Sequence, residues 1–99
     1  MVFGLTDDEK QFLNDHLITP LKKLGCKVFI FGSRATAKHK KFSDIDITYK
    51  ASSPIQPHQI FKLIEFMENS KFIYKIDLVN FDEIATSYKA KIESEMVEV

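Results

Sequence analysis

Three aspartates are the residues of this sequence best suited to chemistry. Asp44 and Asp46 lie two positions apart in a segment that alternates polar and apolar residues, which is typical of a strand with one buried face. Their carboxylates should therefore share one side of a sheet, roughly 7 Å apart, and Asp77 lies in a second such segment. Carboxylates gathered in this way repel one another unless a cation lies between them, and their oxygens suit Mg²⁺. We predict that all three are catalytic metal ligands, and that two ions about 3.5–4 Å apart would favour an in-line phosphoryl displacement.

A glycine–serine turn supplies the second half of the predicted site. Gly32 follows a short apolar run, Cys26 to Phe31, and Ser33 and Arg34 come next. Backbone N–H groups at a turn after a buried strand bind phosphate oxygens, and the Ser33 hydroxyl and the Arg34 guanidinium add donors. We expect these residues and Ser43 to bind a nucleotide. Two alternatives stay open: Arg34 pairs with an aspartate, and Ser43 caps the loop.

The elements that position these residues alternate along the chain. The pattern predicts, in order, a helix, a strand, a loop, a strand, a helix, a strand and a helix. The first helix begins with a capping box at Thr6–Glu9, and we expect a kink or a break at Pro20. The predicted strands are Cys26–Phe31, Asp44–Lys50 and Phe72–Phe81. A helix through Ile60, Leu63, Ile64 and Met67 precedes the third strand, and a last helix, capped by Asp82, packs a core stripe of Ile84, Tyr88 and Ile92.

The connections between these elements predict a small mixed α/β sheet. A short link favours an antiparallel first pair of strands, whereas a helical crossover makes the second and third strands parallel. We therefore expect an α/β (α+β) fold of about three strands, with the second strand in the middle. Helices should cover the face that carries Ile45, Ile47 and Tyr49. The turn at Gly32 would then lie beside Asp44, and the aspartate face would stay open.

These residues carry a resemblance to a known family. Gly32-Ser33-Arg34-Ala35, followed by Ser43-Asp44-Ile45-Asp46-Ile47, resembles the signature of the DNA polymerase beta-like nucleotidyltransferases. That signature is a Gly-Ser, a gap of about ten residues, an Asp-x-Asp and a later third carboxylate, which Asp77 matches. The form here is most similar to the minimal nucleotidyltransferase branch, which implies one such domain over residues 1–99. The family usually has glycine where this chain has Ala37, so the loop is either built differently or less able to wrap phosphate.

The resemblance also implies an activity and a partner. It implies transfer of a nucleoside monophosphate from an NTP, with ATP as donor and two Mg²⁺ ions as cofactor. The usual partner is a helical HEPN toxin, which the nucleotidyltransferase neutralises as an antitoxin by binding it, by adenylylating it, commonly on a tyrosine, or by both. A small-molecule hydroxyl is the alternative acceptor. A catalytically weak or purely structural partner-binding module is the other alternative, and a homo- or hetero-oligomer fits each of them.

Composition sets outer limits on these hypotheses. The 99 residues suffice for one domain, and 14 basic and 14 acidic residues cancel, so bulk charge gives no affinity for nucleic acid. The single cysteine, Cys26, excludes an internal disulfide and favours a reducing compartment, so we expect a cytoplasmic protein. The longest apolar run, Val28 to Phe31, is too short for a membrane span.

Overall fold

Four strands form one mixed sheet in residues 2–99, the part of the chain that the computed structural model describes. The strands are β1 (Cys26–Phe31), β2 (Ile45–Ala51), β3 (Ile76–Asn80) and β4 (Val97–Glu98). Their order across the sheet is β3-β2-β1-β4. The first strand runs antiparallel to β2 and to β4, and β2 runs parallel to β3. The predicted fold class and both predicted strand pairings are confirmed.

The number and length of the strands differ from the prediction. The fourth strand was missed because only two residue pairs, Phe29 with Glu98 and Ile30 with Val97, join it to β1. The predicted third strand, Phe72–Phe81, is too long at both ends. Because β2 begins at Ile45, whose N–H donates to the carbonyl of Lys75, the residues before Ile76 have no strand to pair with.

The first helical segment follows the sequence closely. Helix α1 (Asp7–Leu13) begins with the predicted capping box, in which the Glu9 N–H donates to Thr6 Oγ1 at 3.1 Å and the Thr6 N–H donates to Glu9 Oε1 at 2.8 Å. A π-helical segment at Asn14–Ile18 then leads into α2 (Thr19–Lys23). Pro20 has no N–H to donate, and the hydrogen-bond register changes just ahead of it, but the chain stays helical through Pro20, so the helix does not break there. No helix in residues 2–99 is both long enough and apolar enough to cross a bilayer.

The core lies between the helices and one face of the sheet. Ile45 and Ile47 are fully buried there, as predicted, with Tyr49 8% exposed. Helix α3 (Pro57–Glu68) contributes Met67 to the same core. The other buried apolar side chains of this core are Leu5, Leu13, Leu17, Ile18, Leu21, Cys26, Val28 and Ile30. Helices on this face leave the aspartates on the opposite one.

The C-terminal helix is the clearest error in the sequence prediction. Helix α4 (Thr86–Glu95) has no buried residue, and Tyr88 is 63% exposed, so the expected core stripe is absent. The apolar face of the sheet is already covered by the preceding helices and offers this helix no further core to join. Asp82 does not cap α4. It lies in a separate 3₁₀ turn, Phe81–Glu83, where its N–H donates to the side chain of Asn80.

Candidate active site

The parallel register of β2 and β3 places Asp46 directly opposite Asp77. Residues paired in this way project from the same face, so the two carboxylates are neighbours on the face of the sheet opposite Ile45 and Ile47. Asp44 precedes β2 by one residue and is exposed, as is Asp77, whereas Asp46 is half-buried between them. The three predicted aspartates are therefore brought to the start of two adjacent strands.

Negative charge accumulates around the middle aspartate. Partial burial raises the pKa of Asp46, and the charges of Asp77 and then Asp44 raise that pKa further. Each cause disfavours the ionised carboxylate, so a cation at this position would relieve both the desolvation and the repulsion.

The three aspartates could hold Mg²⁺ if a bound substrate supplied its remaining ligands. Among residues 2–99, no three Asp, Glu, His or Cys side chains lie close enough together to hold a metal ion by themselves. Mg²⁺ is ordinarily bound through one or two carboxylates, with waters and substrate phosphates completing its coordination. Asp44, Asp46 and Asp77 supply hard oxygen ligands of the required kind and leave the remaining positions to phosphate.

Gly32 lies against Asp46 at the end of β1. The antiparallel register pairs Phe31 with Asp46, so the following turn begins beside Asp46 rather than beside Asp44, as the sequence had suggested. Gly32 has a φ of +73°, which an L-residue adopts only with strain. A Cβ atom at this position would collide with Oδ2 of Asp46 and lie 3.3 Å from its Cγ. Glycine is thus required here both by the backbone and by the aspartate.

The turn after β1 is a single 3₁₀ turn, Gly32–Arg34. Its carbonyl at Gly32 accepts hydrogen bonds from the N–H groups of Ala35 and Thr36, at 3.1 and 3.2 Å. The first amides of such a turn have no acceptor within it and can donate to an anion. Ser33, half-buried on this turn, follows the glycine that touches Asp46. Gly32, a predicted nucleotide-binding residue, therefore lies against Asp46, a predicted metal ligand, and Ser33 follows it in the chain.

Arg34 directs its hydrogen bonds to backbone carbonyls. Its side chain is 3% exposed, and Nε and Nη2 donate to the carbonyl of Ser43 at 3.1 and 2.7 Å. Nη1 donates to the carbonyl of Phe3 at 2.8 Å, and the guanidinium carbon lies 4.4 Å from the centre of the Tyr74 ring. The guanidinium thus bonds to carbonyls rather than to a carboxylate. Sequence reasoning missed Phe3 and Tyr74 because both are distant in the chain and neither belongs to a motif.

The loop between the turn and β2 is closed by its own polar groups. The Ser43 hydroxyl accepts from the N–H of Lys40 at 2.8 Å, which is the loop cap considered from the sequence. The N–H of Lys38 donates to the carbonyl of Ser33 at 2.8 Å. Ala37 has a φ of +59°, the conformation that glycine adopts without strain. The loop therefore keeps a glycine-like backbone at the position where the sequence has lost the glycine.

A family model and several solved structures match this chain. The model "Polymerase beta, Nucleotidyltransferase" matches residues 22–99. Among curated proteins, none matches significantly.

The structural neighbours are similar in fold. A structure of a putative minimal nucleotidyltransferase matches with a TM-score of 0.75 at 15% identity, covering 97% of this chain and 98% of that one. A toxin–antitoxin structure with AMP-PNP matches at 0.67 and 19% identity, covering 86% and 70%. A tri-AMPylated Shewanella oneidensis HEPN toxin in complex with MNT antitoxin matches at 0.64 and 18% identity, covering 95% and 71%. At these identities the likeness establishes a shared fold.

Proposed function

Because this chain belongs to the polymerase beta nucleotidyltransferase family, we propose that it transfers AMP from ATP to a tyrosine hydroxyl of a HEPN-type toxin and so acts as its antitoxin. The proposal rests on one observation, which is that the paired aspartates and the turn at Gly32 are in contact. Asp46 stands opposite Asp77 on one side, and the turn at Gly32 touches Asp46 on the other. Metal ligands and a phosphate-binding turn in contact are what nucleotidyl transfer requires.

Each aspartate has a proposed role in the transfer. Asp44, Asp46 and Asp77 would hold Mg²⁺, which when bound stabilises negative charge on the attacking and leaving oxygens. Asp77 is exposed on an edge strand, so an incoming acceptor can reach it. Its carboxylate would accept or orient the proton of the acceptor's hydroxyl. The acceptor oxygen forms a bond to the α-phosphorus as the bond to the β-phosphate oxygen breaks, and pyrophosphate leaves.

The turn would position the triphosphate of ATP. Ser33 supplies its hydroxyl, and the first amides of the Gly32–Arg34 turn supply N–H donors. Because Gly32 has no side chain, the turn lies directly against Asp46, so phosphate bound at the turn would lie beside a cation held by Asp46. This arrangement would orient the α-phosphate toward the hydroxyl that attacks it.

The proposed partner comes from the structural neighbours. One of them is an MNT antitoxin in complex with a tri-AMPylated HEPN toxin, and another is a toxin–antitoxin structure with AMP-PNP. We extend both the partner class and the nucleotide to this chain, in the cytoplasmic setting that the lone Cys26 favours. A docked acceptor protein is also what in-line attack calls for, since the hydroxyl must lie roughly 3–3.5 Å from the α-phosphorus.

The decisive experiment is intact-mass spectrometry of this protein mixed with a HEPN-type protein as the acceptor. With ATP and Mg²⁺, the partner should gain the mass of one or more AMP groups, and the gain should be absent with Asp44→Asn. The matched control is Asp82→Asn, the same change at an exposed aspartate outside the site, and it should preserve transfer. A stable complex without any mass gain would refute transfer and support an antitoxin that acts by binding alone.

A further inference from the structure

Arg34 is a buried cation with an unusual set of partners. It is 3% exposed, and three of its N–H groups bond to backbone carbonyls. Its guanidinium carbon lies over the ring of Tyr74, 4.4 Å from the ring centre. Burying a charge is costly unless its donors are satisfied, so these contacts determine where the side chain stays.

The partners of Arg34 belong to both aspartate-bearing segments. Ser43, whose carbonyl accepts two of the hydrogen bonds, directly precedes Asp44. Tyr74, under the guanidinium, lies three residues before Asp77. Arg34 itself directly follows Ser33 on the phosphate-binding turn.

The same side chain also holds the N-terminal turn. Nη1 donates to the carbonyl of Phe3, in the short 3₁₀ segment Val2–Gly4. Phe3 also packs its half-buried side chain against the hydrophobic core, so the hydrogen bond from Arg34 adds to that contact. One guanidinium therefore connects four segments that meet at the edge of the candidate active site.

We propose that Arg34 is a positioning residue, which fixes the segments of Asp44 and Asp77 relative to the Gly32–Ser33 turn rather than binding the nucleotide. The kinetic tests of this inference rest on the proposed nucleotidyl transfer. Its effect on hydrogen exchange in the loop does not depend on that activity. Only a planar guanidinium can donate to the carbonyls of Ser43 and Phe3 while lying over the ring of Tyr74. A lysine ammonium retains the charge and cannot reproduce that set of contacts.

The two roles predict different kinetics for substitutions at Arg34. If Arg34 positions the aspartates, Arg34→Lys should lower kcat about 10- to 100-fold with little change in the KM for ATP, because misplaced groups slow the chemical step. If Arg34 instead binds phosphate in the ground state, the KM for ATP should rise while kcat is retained. The second result would overturn the proposal.

Tyr74 provides a matched pair of variants that leave Arg34 in place. Tyr74→Leu removes the ring face and should lower kcat in the same way as Arg34→Lys, with a double variant little worse than either single one. Tyr74→Phe retains the ring and should show the same kinetics as the unsubstituted protein. A Tyr74→Leu protein with unaltered kcat would overturn the proposal, even if the Arg34 variants fail to fold.

Hydrogen–deuterium exchange tests the same inference without turnover. In Arg34→Lys and in Tyr74→Leu, the amides of residues 40–46 should exchange at least about tenfold faster, while those of α1 stay unchanged. Unaltered exchange in residues 40–46 would overturn the positioning role. If the protein transfers AMP to no acceptor but the exchange rates respond as expected, the proposed function fails and the positioning of Asp44 by Arg34 stands.

Discussion

Gly32 and Asp46 are in contact, and the contact leaves no room for a side chain between them. A Cβ atom on Gly32 would overlap Oδ2 of Asp46 and lie 3.3 Å from its Cγ. The antiparallel pair of Phe31 with Asp46 fixes this approach, because the turn begins directly after the last paired residue of β1. The turn proposed to bind phosphate is therefore in direct contact with the carboxylate of Asp46.

Replacing Gly32 with alanine should disable the site and weaken the fold. An L-residue at a φ of +73° costs roughly 1–2 kcal/mol, and the new methyl group must displace Asp46 as well. We expect the free energy of unfolding in urea to fall by at least about 1 kcal/mol. Binding of ATP with Mg²⁺, measured by calorimetry on the folded protein, should be lost.

Gly25→Ala is the matched control for that variant. Gly25 also has a positive φ, +89°, and a Cβ there would lie 2.9 Å from the Ser52 hydroxyl, at the end of β1 remote from the aspartates. Gly25→Ala should lose comparable stability but keep its affinity for ATP with Mg²⁺. Loss of that affinity in both variants would mean that general destabilisation, rather than the contact with Asp46, disables the site.

Replacing Ala37 with glycine should stabilise the protein. Ala37 has a φ of +59°, where an alanine is strained by roughly 1–2 kcal/mol. Glycine relieves this strain, but its greater flexibility in the unfolded chain cancels roughly 0.5–1 kcal/mol of the gain. We expect a net gain of about 0.5 kcal/mol in the free energy of unfolding.

Ala35→Gly, two residues earlier in the same loop, should have the opposite effect. Ala35 has an ordinary φ of −70° and packs against the core, so glycine there only adds flexibility and removes a contact. Chemical unfolding of the two variants side by side measures the difference. A loss of stability in Ala37→Gly would show that the left-handed conformation at Ala37 is not a source of strain.

The placing of the aspartates on neighbouring strands was predictable from sequence because these residues lie within or directly beside the strands. Alternation placed Asp44 and Asp46 on one face, and connection lengths determined which strands pair. The exact register was not predictable. A turn expected beside Asp44 lies beside Asp46 instead, because the ladder ends at the pair formed by Phe31 and Asp46.

The contacts of Arg34 and the environment of α4 were beyond sequence reasoning for a different reason. Arg34 meets Phe3 and Tyr74 only after the whole sheet has assembled, and no spacing encodes a contact between such distant residues. The apolar positions of α4 suggested a core-facing stripe. Whether a stripe is buried depends on which surfaces the earlier helices have already covered, and Tyr88 is left exposed.

ATP and Mg²⁺ should stabilise the protein together far more than either does alone. Mg²⁺ loses its hydration water reluctantly and needs phosphate oxygens beside the carboxylates of Asp46 and Asp77. Without the cation, the negative charges of these carboxylates repel the phosphates of ATP. Ligand at 100 times its Kd adds about 2.7 kcal/mol, which for a domain of this size raises Tm by about 10 °C or more.

Differential scanning fluorimetry with Mg²⁺, with ATP, and with both measures that effect. Asp77→Asn should abolish the extra stabilisation by the pair, whereas Asp82→Asn, with an exposed carboxylate outside the site, should retain it. Calorimetry that finds the same ATP affinity with and without Mg²⁺ would contradict the assignment of these aspartates as metal ligands.

Replacing Asp46 with asparagine should stabilise the free protein while abolishing transfer. Burial and the charges of Asp77 and Asp44 raise the pKa of Asp46 above its ordinary value of 3.8. The folded chain therefore holds this proton more tightly than the unfolded chain does, so ionisation of Asp46 opposes folding. Asparagine removes that cost, and transfer should fall by more than about 100-fold because Asp46 is proposed to bind the metal directly.

The sign of the pH dependence makes this last prediction specific. The cost of ionised Asp46 is fully present above its raised pKa and disappears as the pH falls toward 3.8. The stability advantage of Asp46→Asn should therefore be largest at neutral pH and vanish in acid, when urea unfolding is compared at each pH. Asp82→Asn, an exposed aspartate outside the site, should stay within about 0.5 kcal/mol of the unchanged protein throughout. An Asp46→Asn protein that is less stable at neutral pH would refute the crowding of negative charge at this site, and one that still transfers AMP would refute its role as a metal ligand.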